Sequence, residues 1–476
     1  MRKNKTYQLL SSLSNKELVE FKLFLNSPYF NQSPTMVILF NYIRPFHPLF
    51  KHEDLEKERI YKAVKPNEEF SKKFVIDRMS DLNKLLEKFL AVQEVYRNPE
   101  KRDKAFRSSL YNHHLHKRFI KLTTKKLDKI RLTPRMDWNY FSELWSLEHE
   151  IFTHPHTMKF VNTDIEAVDL MNHLDEAFII LNLRYGLHHL IRQQIFKELN
   201  TMPLFTSIIK THRKHKNPII QLYLKLIHFF QSQQKEKVWE DAFNMFTINS
   251  EKIPTDEKRE IITALINLGY SIALSQRPDF FNRLFELYEI GIDEDVWIQY
   301  GTISERTFRN IVTIGASIKK FDWTENFIEE FKQYIPETKK EKVLNYSNAY
   351  LLLYKGDYEE AKKLLAKPQS LSLEDKITFK SLYCRCEYEN RCHSKNNYKK
   401  SLNSFLTNFS KFLQRRNLSD KRKKSYNNFI GFIRILNEEK DNLRITKKRK
   451  IKLRKKLDSY TGVVAKNWLS SKIEEL

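Results

Sequence analysis

The stretch Asn345–Pro368, which reads NYSNAYLLLYKGDYEEAKKLLAKP, has the pattern of two helices joined by a short turn. Apolar residues recur at the 3.6-residue helical period on both sides of Gly356, so each half predicts a helix with one apolar stripe. Gly356 can adopt a positive φ, as the chain must where a helix stops and turns back. Since two amphipathic helices joined by a short turn face each other, the sequence predicts a helical hairpin whose joint is Gly356.

Five positions of this stretch match the marker positions of a known repeat. They are a small residue in the first helix, Gly and Tyr at the turn, Ala three residues after the Tyr, and a Pro that ends the second helix: Ala349, Gly356, Tyr358, Ala361 and Pro368. The stretch therefore resembles the tetratricopeptide repeat. The resemblance implies an α-solenoid of antiparallel helical hairpins, in which the first helices line a groove that holds a peptide or protein partner.

Weaker copies of the pattern recur along the second half of the chain. Aromatic residues at the corresponding place are separated by 41, 43, 35 and 40 residues: Trp239, Phe280, Trp323, Tyr358 and Tyr398. A period of this size fits a repeat of two helices, and a single hairpin cannot bury its outer apolar face alone. The alternative explanation is that aromatic residues lie near helix starts in any all-α protein.

The composition favours an all-α protein and argues against one large class of enzyme. The 476 residues include only 8 Gly, all of them isolated, so neither common type of Gly-rich phosphate loop exists. No segment alternates convincingly between apolar and polar residues, as a half-buried strand does. A nucleotide-binding α/β enzyme is therefore not expected, and no cofactor is predicted.

No stretch of the sequence predicts a secretion signal or a membrane span. The basic amino terminus offers only Leu9 and Leu10 before Ser11, an apolar run too short for a signal peptide. The longest apolar stretch, 261–274, is too short to cross a bilayer and is interpreted as a buried repeat helix. We expect a cytoplasmic protein without membrane insertion.

Prolines and changes of charge divide the chain into four segments. Residues 1–99 are predicted to form an N-terminal helical module, 100–235 divergent hairpins, 236–417 the tetratricopeptide-like repeats, and 418–476 basic helices that cap the solenoid. The tail around Trp468 is expected to cover the last exposed repeat face.

The N-terminal module begins with a capping-box signal formed by Ser14 and Glu17. The module also resembles the start of a group of uncharacterised bacterial helical proteins, through the strings SPYFN at 27–31 and MSDL at 79–82. No activity is implied by that resemblance.

The net charge of +25 is concentrated near the carboxyl end. Between Lys395 and Lys456 there are 21 Lys or Arg residues and 4 acidic ones, a net +17, which leaves +8 for the rest of the chain. Clustered cations attract nucleic-acid phosphates or acidic proteins, whereas the alternative is a solvated lysine-rich surface. The predicted basic patch consists of Arg415, Arg416, Lys421, Arg422, Lys423, Lys424, Lys447, Lys448, Arg449, Lys450, Lys452, Arg454, Lys455 and Lys456.

The three cysteines of the sequence, Cys384, Cys386 and Cys392, lie close together. With His393 they would supply four ligands for zinc. On one helix, however, the side chains of Cys384 and Cys386 point about 200° apart. The alternative is that the thiols are free and that the segment forms a buried helical stripe of Ile377, Ser381, Cys384 and Tyr388.

Nine histidines crowd between positions 113 and 189. His149 and His154 approach the zinc-protease pattern, but they are five residues apart instead of four, which turns the second side chain about 100° further round the helix. His113 and His116 could share a helix face. Because no carboxylate stands beside them, they are expected to be solvated rather than to bind a metal.

The sequence predicts a non-enzymatic scaffold that holds a protein or peptide partner in a helical-repeat groove. Two alternatives stay open: a nucleic-acid-binding protein that uses the basic C-terminal helices, and an all-α enzyme whose catalytic groups meet only in space. Partner identity and oligomeric state are not predicted. The groove residues that the resemblance implies are Asn345, Asn348, Leu352, Lys355, Arg309 and Lys319.

Overall fold

The computed structural model of the chain describes residues 4–50, 52–156, 166–196, 203–212, 214–273, 277, 279–367, 371–393, 399–440, 445–460 and 462–476. Within these ranges nearly every element is an α-helix, and the strands found there form one short hairpin. The predicted all-α class is confirmed. No helix in the described part of the chain is long and apolar enough to cross a membrane.

The helices alternate with short connections along the whole of the described chain. Those between residues 4 and 156 are α1 (Lys5–Ser12), α2 (Asn15–Asn26), α3 (Pro34–Ile43), α4 (Lys57–Val64), α5 (Lys72–Arg97), α6 (Pro99–Asn112), α7 (His116–Arg131) and α8 (Trp138–Phe152). Those that follow are α9 (Ala167–Phe196), α10 (Pro203–Thr211), α11 (Pro218–His228), α12 (Lys235–Asn249), α13 (Thr255–Ala273), α14 (Phe280–Asp293), α15 (Glu305–Ser317), α16 (Phe321–Phe331), α17 (Glu337–Lys355), α18 (Tyr358–Ala366), α19 (Leu373–His393), α20 (Lys399–Gln414), α21 (Asp420–Glu439), α22 (Lys447–Asp458) and α23 (Lys466–Glu475). The strands are β1 (Ile298–Gln299) and β2 (Thr302–Ile303), paired antiparallel.

The chain forms two compact units. One consists of Met1–Lys129 and Leu147–Asp164, and the other of Ile130–Ser146 and Ile165–Leu476. The four-part division expected from the sequence stays a prediction.

The first unit has an aromatic core between α2, α3 and α5. Phe21 and Phe40 are completely buried and their rings meet edge to face at 5.0 Å, while Phe89 lies 5.2 Å from Phe21. The capping box predicted before α2 is formed. Ser14 Oγ accepts the amide N–H of Glu17 at 3.3 Å, and the Glu17 carboxylate accepts the amide N–H of Ser14 at 2.9 Å.

The hairpin predicted at Gly356 is present in the second unit. Gly356 follows α17 with a φ of +96°, and the amide of Asp357 donates to a carbonyl in the last turn of that helix at 2.9 Å. Ala349 and Ala361 are completely buried where α17 and α18 pack together. Small residues at these places let the two helix backbones approach. Pro368, predicted to end the hairpin, lies outside the described residues.

Other helices of the second unit also pack as sequential pairs: α11 on α12, α13 on α14, α15 on α16, and α19 on α20. Trp239, Phe280, Trp323 and Tyr358 each lie near the start of the second helix of a pair, and Tyr398 lies outside the described residues. First helices of neighbouring pairs pack as well, α11 on α13, α15 on α17, and α17 on α19. One continuous hydrophobic core runs through the pairs from α11 to α18 and includes part of α19, whereas α20 packs with the rest of α19 and with α21, α22 and α23 in a second core.

Candidate binding surfaces

The first helices α17 and α19 are covered over most of their surface. Every residue of α17 from 343 to 354 is buried or half-buried, and the seven residues of α19 from 384 to 390 are all buried. At 100° per residue, the half-buried Leu344, Asn348 and Leu352 lie on one face of α17, which is therefore partly open.

Four of the six predicted groove residues, all on α17, lie within about 80° of one another around the helix, and the groove itself stays a prediction. Asn345 is buried, Asn348 and Leu352 are half-buried, and Lys319 is exposed at a φ of +63°. Lys355 Nζ lies 2.5 Å from a carboxylate oxygen of the preceding pair and is thereby neutralised within the chain. The sixth residue, Arg309 of α15, belongs to an ion cluster.

This ion cluster links three successive first helices. Arg309 of α15 lies 3.2 Å from Asp375 of α19, and Lys342 of α17 lies 3.0 Å from the same carboxylate and 2.9 Å from Glu305. Burial alone would raise the pKa of Asp375, but hydrogen bonds from Ser372, Lys342 and Arg309 hold it below its ordinary value. The cluster therefore braces the helices, and the charge of Arg309 is already balanced inside the fold.

A row of tyrosines occupies the inner side of α17, and the sequence analysis missed it. Tyr346, Tyr350 and Tyr354 are spaced four residues apart, with ring centroids 6.2 and 5.3 Å from one another. Arg385 of α19 stacks on Tyr350 at 5.0 Å and donates from Nη2 to the Tyr354 hydroxyl at 3.2 Å. The four-residue spacing was visible in the sequence, whereas the arginine that pairs with the rings comes from another helix.

The C-terminal helix α23 lies against this inner side. Trp468 Nε1 donates to Glu389 Oε1 at 2.8 Å, and Lys472 Nζ lies 2.7 Å from the same oxygen. The guanidinium of Arg385 stacks on the Trp468 ring at 5.3 Å. All four side chains are buried. Burial would lower the pKa of Lys472, but the carboxylates of Glu389 and Glu475 raise it, so the ammonium stays charged in its buried place.

The predicted basic patch has its most exposed part on α22. Leu453 and Leu457 are the buried side chains of this helix, and its cations surround the remaining faces. Arg454 pairs with Glu474 at 2.8 Å, and Lys450 donates to the backbone carbonyl of Glu474 at 2.7 Å. A third cation, Arg449, pairs with a carboxylate at the end of α21.

Five lysines of α22 have no carboxylate partner within the described part of the chain, and all five are exposed: Lys447, Lys448, Lys452, Lys455 and Lys456. At 100° per residue they spread over about 180° of the helix, on the side opposite Leu453 and Leu457. α22 therefore presents an unneutralised cationic face to solvent.

The rest of the predicted patch is more scattered. Arg422 pairs with Glu374 at 2.6 Å, and Arg416 stacks on Phe412 at 5.0 Å. The side chain of Lys421 lies outside the described residues. The remaining members, Arg415, Lys423 and Lys424, have no ion pair with a described carboxylate.

The alternative prediction for the cysteine segment, a buried helical stripe, is confirmed. Ile377, Ser381, Cys384 and Tyr388 are all buried on α19. Burial raises the pKa of the Cys386 thiol to about 12. The side chain of His393 lies outside the described residues. Among the residues that are described, no three His, Cys, Asp or Glu side chains are grouped so as to hold a metal ion.

A histidine cluster in the first unit differs from the pairs considered in the sequence. His116 Nδ1 lies 3.2 Å from His154 Nε2, and the backbone N–H of His156 donates to His154 Nδ1 at 3.1 Å. Because His154 Nδ1 accepts a hydrogen bond, the proton of its neutral ring is on Nε2 and points at His116. Burial, followed by repulsion between the rings, lowers the pKa of His116 and of His154. The loop after α8 brings these rings together, which no local spacing indicates.

The carboxyl group of Glu257 is buried in the core of the second unit. Glu257 of α13 is 1% exposed and accepts hydrogen bonds from Tyr223 and Arg184. Burial raises the pKa of Glu257 above its ordinary value. A carboxylate so enclosed touches no solvent, so this group serves the packing of α9, α11 and α13.

Comparison of the chain with protein-family models, with curated proteins and with solved structures finds no match. The likeness to the tetratricopeptide repeat therefore stays a prediction from the sequence.

Proposed function

We propose that this chain is a non-catalytic helical-repeat scaffold that binds nucleic acid through the outward face of α22. The helix pairs that follow one another from α11 to α20 support an α-solenoid of tetratricopeptide-like hairpins as the scaffold. The single observation that carries the proposal is the face of five exposed lysines without carboxylate partners. The cytoplasmic location of the protein stays a prediction.

The spacing of these lysines suits a regular array of phosphates. Lys447 and Lys456 are nine residues apart, which at a rise of about 1.5 Å per residue is about 14 Å along the helix. That length of double-stranded DNA carries roughly eight phosphates, at about one per 1.7 Å of axis. Lysines contact phosphates as point charges and read no base, so the expected binding is independent of nucleic-acid sequence.

The surroundings of α22 also favour a role beyond solubility. On a helix surface, a carboxylate three or four residues from a lysine or arginine neutralises part of its charge. Here the carboxylates of Glu439 and Glu474 pair with the cations beside the buried face, and the outward lysines are left uncompensated. Such a face raises the local concentration of a polyanion and speeds its encounter with the protein.

A matched pair of variants tests the proposal. One replaces the five lysines of the face by Ala, and the other replaces five exposed lysines of the first unit, so that both lose the same charge: Lys57, Lys62, Lys72, Lys73 and Lys88. Fluorescence anisotropy with a labelled DNA duplex and with a labelled RNA at low ionic strength should show a large loss of affinity for the first variant and a small loss for the second. Equal losses would show that net charge, and not this face, is responsible. If the intact chain binds an acidic protein but neither DNA nor RNA, the face of five lysines is a site for an acidic protein partner instead.

A second function, the binding of a protein or peptide partner, is supported by a different observation. The inner side of α17 and α19 carries Tyr350, Tyr354 and Arg385 at the place where α23 lies. Aromatic residues and arginine dominate the binding energy of protein interfaces.

A further inference from the structure

α6 and α7 carry a second concentration of positive charge, in the first of the two units. Residues 99–131 include 11 Lys or Arg residues and 3 acidic ones, a net +8, which equals the net charge of the whole chain outside 395–456. Arg107 is buried, and its Nε lies 3.2 Å from a carboxylate oxygen of Glu150. Most of the other cations on these two helices are exposed, so this part of the unit presents positive charge to solvent.

Two exposed aromatic rings lie among these cations. Tyr96 at the end of α5 is 70% exposed, and Phe106 of α6 is 44% exposed. The guanidinium carbon of Arg102 lies 6.0 Å from the centre of the Tyr96 ring, and that of Arg118 lies 5.4 Å from the centre of the Phe106 ring. Neither guanidinium pairs with a carboxylate in the part of the chain that the structure describes. An exposed ring beside an unneutralised cation suits a ligand that is both planar and negatively charged.

These rings and cations form a continuous row across the two helices. Arg102 and Phe106 are four residues apart on α6, so their side chains are neighbours on its surface. The contact between Phe106 and Arg118 joins α6 to α7, and two lysines follow Arg118 on α7 at spacings of three and four residues. All the side chains of the row are exposed. We define the ring and cation strip as Tyr96, Arg102, Phe106, Arg118, Lys121 and Lys125.

We propose that the ring and cation strip binds single-stranded nucleic acid, at a site separate from the lysine face of α22. Proteins hold single strands by stacking unpaired bases on aromatic rings and by attracting the phosphates with lysine and arginine. The strip offers both kinds of group, whereas α22 contains no aromatic residue. In a duplex the bases are paired and stacked on one another, so their faces do not reach the rings. The strip therefore distinguishes single strands from duplexes.

Two matched double variants of the full chain test this inference. Tyr96→Ala with Phe106→Ala removes both rings of the strip, and Tyr29→Ala with Phe70→Ala removes two rings of the same unit that are 88% and 44% exposed. Neither double variant changes the net charge. Both are made in a chain whose five α22 lysines are already replaced by Ala, so that single strands bound to α22 do not mask the result. If circular dichroism shows that the first double variant is unfolded, Tyr96→Ala alone carries the test.

Fluorescence anisotropy at low ionic strength is measured with labelled oligo(dT), labelled oligo(U) and a labelled DNA duplex. Loss of the two rings of the strip should weaken binding of both single strands by about tenfold or more, because each ring stacks a base, and should leave duplex binding unchanged. The control double variant should bind all three probes as its parent does. The inference is overturned if the parent binds no single strand, if both double variants bind single strands equally well, or if loss of the strip rings weakens the duplex as much.

The cations of the strip provide a second measurement. Each phosphate neutralised in a single strand contributes about −0.7 to the slope of the logarithm of the binding constant against the logarithm of salt concentration. Replacing Arg118, Lys121 and Lys125 by Ala should therefore make the slope for oligo(dT) less steep by about 2, and an unchanged slope would contradict the strip. Replacing the α22 lysines alone should weaken duplex binding, which the strip rings do not affect. Failure of this inference and failure of the α22 proposal are thus separate results.

Discussion

Replacing Gly356 by Ala tests whether a left-handed backbone forms the joint between α17 and α18. Gly356 has a φ of +96°, and a Cβ atom there would meet only the Tyr358 hydroxyl, at 4.0 Å. No clash adds to the cost, so the penalty is that of an L-residue in the left-handed region, about 1–2 kcal/mol. Ala also restricts the unfolded chain, which offsets about 0.4–1 kcal/mol. We expect Gly356→Ala to lower the free energy of unfolding by about 1 kcal/mol.

Gly431 provides the matched control. It lies inside α21, and a Cβ atom there would meet nothing within 4 Å. Gly431→Ala should therefore raise the free energy of unfolding by about 0.5–1 kcal/mol, because Ala favours the helix. Urea unfolding followed by circular dichroism measures both variants, and their effects should have opposite signs. If Gly356→Ala stabilises the protein as Gly431→Ala does, the joint is not left-handed and the hairpin is misplaced.

Three further outcomes follow from the burial of named side chains. Ala361→Leu should lower the free energy of unfolding by about 1–3 kcal/mol, because the larger side chain overpacks a buried site. The control Ala366→Leu, at an exposed position, should change it little. An unaltered thermal midpoint for Ala361→Leu would contradict the packing of α17 on α18. Because the pKa values of His116 and His154 are lowered in the folded protein, the unfolded chain binds more protons as the pH drops below about 6.5. Stability should therefore fall with decreasing pH, and it should fall less steeply after His154→Gln. Urea midpoints measured from pH 8 to pH 5 check this, and equal slopes for the two proteins would refute it. The thiol of Cys384 is buried with a raised pKa, so a thiol reagent should label it only after unfolding, and labelling at native conditions would count against the described core.

The features that the sequence predicted correctly are local ones. The turn at Gly356 depends on one residue that accepts a positive φ and on apolar stripes within a few residues of it. The buried stripe through Cys384 follows from helical spacing alone. The exposed cations of α22 were also predictable, since a helix with eight cations in ten residues has only a narrow apolar side to bury.

The features that the sequence did not predict join residues far apart in the chain. Trp468 and Glu389 are separated by 79 residues, and nothing near either one indicates the other. Arg309, which was predicted for the groove, donates to Asp375, and that residue lies 66 positions further along the chain. Sequence spacing identifies which face of a helix packs, but not which distant helix covers its other faces.

The salt dependence of nucleic-acid binding by the full chain tests the central claim most directly. Each neutralised phosphate of duplex DNA contributes a slope of about −0.9 to the logarithm of the binding constant against the logarithm of salt concentration. If all five lysines of α22 contact phosphates, replacing Lys447, Lys448, Lys452, Lys455 and Lys456 by Ala should make the slope less steep by about 4 to 5. An unchanged slope, or no salt-sensitive binding of DNA or RNA by the intact protein at low ionic strength, would contradict the proposal.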